Sequence, residues 1–546
     1  MNGGVKKAVN FLKSWEFFGL VASGLIGGLV FFIFFGDTLW PQNISWILAD
    51  GTDTFQHQIG WEFFRNSAWG WPWGVIQNLN YPSGISLLYT DSFPLLAIFF
   101  KLWRNLLPTN FQYLGMWMFL SFVLQGLCGF LLMRLIKKDT LLDILGSIFF
   151  IFNPIVFQRV AGHASLVSHF LILAALYLCL NRSSVWRAGF WGIILILSLF
   201  THPYLFFMIV PFWLSEQIRL YKLISKIKWW GGNLATIAIL GLLSFVVGMW
   251  GAGEGGAEGF GEFSLNLNGL FNPLGWSKIM PEWPIQTFQY EGFNYLGLGI
   301  LFLGLLSGYF FIFKQRKIFV SLLKKYWPLL IVAVFLTAVA LSNKIYFNNH
   351  LVFSYPLPSL AEKCLSIVRS SGRMFWPVYY LLVLASLFFL RFLKRKWALI
   401  LICLTLVLQL TDLSKGLLGQ HINYTDRVMS FPSQDSFWAE YARWNYVFKN
   451  YKHIVILPYF ERFDLPMSLT VARSGQTFTA GAFARKPSGL KYFLDEEIKK
   501  VCSGNFDKDT AYLFFDNLYK CLPKEDVSLN KYTFKQVLNF WVVLPH

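Results

Sequence analysis

Between Ala49 and Arg65 the chain reads ADGTDTFQHQIGWEFFR, and its residue types could do chemistry. Written on a helix, residues three and four apart become neighbours, so Asp53, His57, Gly60, Trp61 and Phe64 share one side. A carboxylate, an imidazole and an indole then face the same way. Asp53 could act as a general base, His57 could orient it, and Trp61 could supply an aromatic wall for a ring-shaped substrate. Asp50 stands just upstream, beside Gly51 and Thr52, which favour a turn or helix start, and is the alternative base. A solvated polar loop beside a membrane is the plainer reading of the same residues.

A second group of candidates is cationic. Arg369 and Arg373 lie in IVRSSGRMFW, just before an apolar run, and guanidinium forks suit phosphate oxygens. Arg159, four residues before His163, is a similar candidate. His163, His169 and His202 fall at the ends of apolar runs, where a histidine is either functional or a hydrogen-bonded helix end. Their spacing is no zinc pattern, since no Cys or His cluster completes a site, so no metal ligands are assigned. A divalent cation is the one cofactor left for consideration.

The elements that must position these residues are membrane helices. Hydrophobic residues make up 55% of the chain and charged ones only 14%, which marks a polytopic membrane protein and excludes an ordinary soluble core. The net charge of +18 is therefore read as topology and not as affinity for nucleic acid. Eleven apolar runs qualify as spans, near 17–36, 112–134, 141–158, 166–181, 187–201, 203–219, 232–250, 293–313, 327–342, 376–393 and 396–412. Basic clusters then fall on alternate connections, around Lys6, Lys137, Arg187, Lys228, Lys317 and Lys394. The positive-inside rule puts these and the N-terminus in the cytoplasm, and Asp53 outside. The first run is too long for a cleavable signal. Gly24 and Gly28 within it form GxxxG, a close-packing motif.

Residues 92–107 are apolar but short and contain Lys101 and Arg104, so they read as re-entrant or interfacial; counting them as a span gives twelve. The first outer loop, 37–110, is then a long folded element. The loop from Gly251 to Gly292 carries Glu254, Glu258 and Glu262 among many glycines and reads as a mobile outer lid. After Asp412 the composition shifts: 30 of 134 residues are charged, against 46 of the preceding 412. Strand-like runs HIVILPYF, AYLFFD and FWVVLP alternate with helical LDEEIKKV, which suggests a small α/β domain over 413–546, outside the membrane. Cys502 and Cys521, the only cysteines there, could pair in an oxidising compartment.

The strings TDTFQHQIGWEFFRNSAWGWPWG, NYPSGISLLYTDSFPLL, FQYLGMWMFLSFVLQG, RVAGHASLVSHFLILAAL and RSSGRMFWPVYYLL resemble an uncharacterised family of bacterial polytopic membrane proteins. That family looks like a branch of the GT-C superfamily, which includes protein O-mannosyltransferases and lipid A aminoarabinose transferase. The resemblance implies a mainly α fold: a GT-C-like bundle over 1–412, with the α/β domain outside. It also implies a catalytic aspartate in the first outer loop, carried to Asp53 or Asp50 by position. The implied partners are the lipid bilayer and a polyprenyl-phosphate-linked sugar donor, with no nucleic acid. His57, Trp61, Arg373, Arg369, Arg159 and His163 would contact substrate. The expected activity is sugar transfer on the outer face of the bacterial inner membrane. A non-enzymatic saccharide flippase or an envelope-assembly protein is the alternative.

Overall fold

The structure, a computed structural model, describes residues 14–50, 53–160, 162–181, 187–250, 259–430, 434–460, 464–481, 483, 489–523 and 532–546. It is mostly helical, with a small sheet near the C-terminus. The chain divides into two compact units, each built from separate stretches. One collects Met1–Asn43, Tyr113–Leu240 and Gly256–Thr425; the other collects Ile44–Gln112, Gly241–Gly255 and Asp426–His546.

Each apolar run expected as a span contains a helix. Among the described residues five helices are long and apolar enough to cross a membrane: Trp15–Leu39, Leu114–Arg134, Lys226–Val246, Ser371–Phe392 and Arg395–Asp426. Two bent pairs, Thr140–Ile151 with Pro154–Val160 and Leu298–Lys314 with Arg316–Lys325, raise the number to seven if each is one span. Eleven or twelve were expected. The difference lies in length, since a helix of 15 residues such as Trp327–Leu341 covers roughly 22 Å of a hydrocarbon core about 30 Å thick. Proline breaks one expected run: Pro154, inside 141–158, begins a new helix, where a missing N–H costs least.

In the helical unit, the Trp15–Phe35 and Leu114–Arg134 helices meet backbone to backbone. A Cβ on Gly27 would lie 2.1 Å from the Phe122 carbonyl oxygen, and one on Gly126 would lie 2.1 Å from that of Ser23. The GxxxG pair Gly24 and Gly28 sits beside this contact but meets the side chains of Leu127 and Phe119. Several basic residues gather at one end of the unit. Arg134 bonds Asp143 at 3.0 Å and also Glu16, Arg395 bonds Asp139 at 2.6 Å, and Arg391 donates to the Ile136 carbonyl at 3.0 Å. Arg373 lies at the other end of the Ser371–Phe392 helix from Arg391, about 27 Å away at ~1.5 Å per residue.

The expected lid divides. Residues 251–258, with Glu254 and Glu258, lie outside the described residues. From Gly259 onward the segment is tied by side-chain amides: Asn266 Nδ2 donates to Gln289 Oε1 at 2.7 Å within it, and Asn268 Nδ2 donates to Asn348 Oδ1 at 2.6 Å beyond it. Asp412, at the expected domain boundary, is buried within an unbroken helix that runs from Arg395 to Ser430. Its carboxylate accepts from the Tyr295 hydroxyl at 2.8 Å, the Leu298 N–H at 3.0 Å and the Ser277 hydroxyl.

The other unit carries a five-stranded sheet in the order Thr477–Phe478, His453–Leu457, Thr510–Phe514, Phe540–Pro545, Tyr532–Val537; the first three are parallel and the last two form an antiparallel hairpin. The three runs read as strands are strands, LDEEIKKV lies in the Leu490–Cys502 helix, and Cys502 pairs with Cys521. The first loop belongs to this unit. Leu79 bridges to Phe478, the Tyr81 N–H donates to the Phe478 carbonyl at 3.1 Å, and Phe478 returns a bond to Asn78 at 2.8 Å. An edge strand with open N–H and C=O groups is thus covered by chain from far upstream. Residues 92–107 contribute the helix Pro94–Leu102, at roughly 14 Å too short to cross a bilayer. Its Phe99, Leu102, Trp103 and Leu106 are exposed, as an interfacial segment requires.

The backbone contact at Gly27 and Gly126 makes a direct prediction. Gly126→Leu should destabilise the protein by about 1–3 kcal/mol or more, because the new side chain must push the Ser23 carbonyl away. Thermal unfolding of the purified variant measures it, and an unchanged midpoint would refute the contact.

Candidate functional site

Asp53 opens the helix Asp53–Asn66 and is half-buried. Gly51, Thr52 and the Asp50 side chain lie outside the described residues. The shared face expected from the spacing exists, but it points into the core. His57 and Trp61 are each only 1% exposed, and a Cβ on Gly60 would lie 2.1 Å from Thr90 Oγ1. The His57 ring packs edge-on against Phe93 at 6.2 Å, Trp61 packs against Phe111 at 6.1 Å, and the His57 carbonyl accepts from the Ser92 hydroxyl at 2.7 Å. Neither ring nitrogen of His57 has a hydrogen-bond partner among the described residues. Burial pushes its imidazole pKa down to about 3, so it stays neutral. The expectation that His57 orients Asp53 is corrected here: the ring makes no bond to that carboxylate. Every residue of this helix from Thr54 to Arg65 is buried, so no face of it is left to present the imidazole to solvent.

The cationic candidates converge instead. In the helical unit, Arg373 lies in a tight turn, Ser371–Phe375, that leads into the helix Trp376–Phe388. Gly372 lets this turn approach the loop at Gly292: a Cβ on Gly372 would lie 2.5 Å from the Gly292 Cα. That approach sets Glu291 against Arg373. Arg373 Nε donates to Glu291 Oε2 and Nη2 to Oε1, both at 2.8 Å, a two-toothed fork. Arg159, on the short helix after the Pro154 break, donates from Nη1 to Glu291 Oε2 at 2.8 Å. His163 Nε2 lies 3.2 Å from Arg373 Nη2 and 4.0 Å from Glu291 Oε1. Burial alone would raise the Glu291 pKa, but Arg373 and Arg159 outweigh it and hold the carboxyl well below the usual range. Burial, then Arg373 and Arg159, push the His163 imidazole pKa down, so it is neutral. Arg373 lies over the Tyr204 ring at 5.2 Å and Arg159 over Trp376 at 5.5 Å. Arg159 Nε has no hydrogen-bond partner among the described residues.

Of the three arginines proposed for phosphate contact, Arg373 and Arg159 therefore meet, with His163 beside them, and Arg369 does not join them. It is exposed and lies over Phe263 at 5.5 Å. Glu291 was not anticipated. The signal available was indirect: an arginine opening an apolar helix needs a carboxylate partner if buried. The other histidines serve structure. His169 meets the Tyr380 hydroxyl at 2.8 Å and stacks on Trp376, and His202 Nδ1 accepts from the Tyr204 N–H at a helix start. Among the described residues no three His, Cys, Asp or Glu side chains gather as metal ligands.

A chain with several apolar helices of crossing length, a buried arginine–carboxylate cluster and a small mixed sheet has the build of a multi-pass membrane protein. It belongs to the family described as domain of unknown function (DUF6311), whose match covers residues 24–414; the family's C-terminal domain, DUF6311_C, matches residues 443–545. Comparison with curated proteins returned no match.

The buried imidazole makes acid sensitivity testable. His57 has a folded pKa of about 3 against an ordinary value of 6.5, so between those pH values the unfolded chain binds more protons. Stability should fall as pH drops through this window. His57→Leu should show a shallower fall from pH 6.5 to 3.5 in thermal unfolding; parallel slopes in the two proteins would refute a buried, neutral His57.

Proposed function

We propose that the protein is a GT-C-type membrane glycosyltransferase. It moves a sugar from a polyprenyl-phosphate-linked donor to an envelope glycan, lipid or protein on the outer face of the bacterial inner membrane. The observation that carries this reading is the double guanidinium grip on Glu291. A site that holds a carboxylate through a fork suits phosphate oxygens equally, and the Arg159 Nε donor remains to be used. Phosphate is a good leaving group, so cationic stabilisation and one general base suffice. In this reading Arg373, Arg159 and His163 receive the donor phosphate, and Asp53, with Asp50 as alternative, activates the acceptor hydroxyl. Orientation follows from charge: the end of the helical unit with Arg134, Arg391 and Arg395 is cytoplasmic by the positive-inside rule, and the Arg373 end is outside. The Cys502–Cys521 pair suits an oxidising compartment, and exposed Trp69, Trp71 and Trp73 suit the membrane interface.

The test is complementation of a deletion strain, with envelope glycans analysed by mass spectrometry and transfer assayed in membranes. Asp53→Asn should lower transfer by about 10² to 10⁴ without lowering membrane expression. Arg373→Lys keeps charge but loses the fork, so it should weaken transfer most at limiting donor. If Asp50→Asn alone abolishes transfer, the base is Asp50. Transfer unchanged in Asp53→Asn, Asp50→Asn and Arg373→Lys together would overturn the enzymatic reading, and labelling of Lys137→Cys from outside intact cells would overturn the orientation.

A further inference from the structure

An open pocket of about 480 Å³ lies where the parallel strands His453–Leu457 and Thr510–Phe514 begin, lined by Tyr81, His453, Phe493, Glu497, Asp507 and Asp509 among others. Small-molecule sites run from roughly 300 to 1,000 Å³. Tyr81 reaches it because residues 78–81 are hydrogen-bonded to the sheet edge at Phe478. Its ring stacks on His453 with centroids 4.6 Å apart, and Phe493 meets Tyr81 edge-on at 5.8 Å. The His453 ring is fixed by Nδ1 against Thr477 Oγ1 at 2.8 Å. Three half-buried rings thus form one continuous aromatic part of the lining.

The carboxylates already have cations. Lys452 Nζ lies 2.7 Å from Asp509 Oδ2, and Lys500 bonds Asp507 and lies 3.7 Å from Glu497. With Lys508 in the lining, three lysines stand against three carboxylates, yet each carboxylate has about four lone-pair sites and keeps acceptor capacity. Candidate ligands separate on this basis. A phosphate would face three carboxylates. An amine would find them matched by lysines, with Lys508 also in the lining. A hydrocarbon chain would strip water from charged groups and return no hydrogen bond. A neutral sugar ring fits all parts, since its C–H face lies on aromatic rings and its hydroxyls donate to carboxylate oxygens.

We propose that this pocket binds a neutral saccharide ring, with Tyr81 and Phe493 as the platform and Glu497 and Asp507 as hydroxyl acceptors. The proposal goes beyond the transferase reading and does not rest on it, because binding here needs neither Asp53 nor Arg373. Full-length protein in phospholipid nanodiscs, free of glycosidic detergent, is probed by saturation-transfer NMR with the methyl glycosides of mannose, glucose and N-acetylglucosamine. Saturation of the ring C–H protons of at least one probe is expected. Phe493→Ala should weaken that binding about tenfold. Glu497→Gln, which leaves the rings in place, should weaken it as well and keeps the test valid if Phe493→Ala unfolds. No transfer to any of the three probes, transfer unaltered in both variants, or displacement of the sugar by tetramethylammonium would overturn the proposal.

Discussion

Two arginines cannot be buried side by side unless a carboxylate lies between them, and Glu291 meets that constraint for Arg159 and Arg373. The ion cluster fastens three distant stretches: the helix after the Pro154 break, the loop that ends at Gly292, and the turn that opens the helix Trp376–Phe388. Each stretch is shaped so that its charge arrives. The proline break frees Arg159 from the line of its helix, and the two backbones at Gly292 and Gly372 lie so close that a Cβ on Gly372 would come within 2.5 Å of the Gly292 Cα. Removing Glu291 would leave two guanidiniums facing each other in a poorly solvated place, so the loop's amide network and the cluster stand or fall together.

Charge is arranged along the helical unit in a second way. Arg134, Arg391 and Arg395 pair with Glu16, Asp143, Asp139 or helix-end carbonyls, at the opposite end of the Ser371–Phe392 helix from Arg373. The middle of that helix is apolar, as a bilayer core demands. Where a carboxylate does occur deep in the unit, as at Asp412, a tyrosine hydroxyl, a serine hydroxyl and a helix N–H surround it. Asp412 is thus held as a buried carboxylate must be, with donors on both oxygens.

What could be read from the sequence follows from what each signal measures. Hydropathy registers runs of apolar residues, so the helices and three of the four longer tail strands were legible, while Tyr532–Val537, which carries Lys535 and Gln536, was not; it does not register how long the helix inside a run is, so the number of long spans was overestimated. Helical spacing showed that Asp53, His57 and Trp61 share a side, but spacing cannot say whether that side meets solvent or core, and burial of His57 decides it. Arg159, His163 and Arg373 were singled out one by one. Their meeting was not visible, because Glu291 is separated from Arg159 by 132 residues and from Arg373 by 82. The tail was legible as an α/β domain by its charge, whereas its union with the first loop rests on strand-edge hydrogen bonds that composition does not encode.

That union has a consequence for synthesis. Residues 78–81 of the first loop leave the ribosome about 400 residues before Phe478, the strand residue that receives them. At roughly 5–20 residues per second the wait is on the order of 20–80 s. Throughout it, the 78–81 segment has no strand edge to bind, and the apolar residues later buried beneath the loop stay uncovered. A nascent chain with so long an interval between two halves of one domain is a natural client for chaperones on whichever side the loop emerges, and early termination would leave that half permanently without its other part.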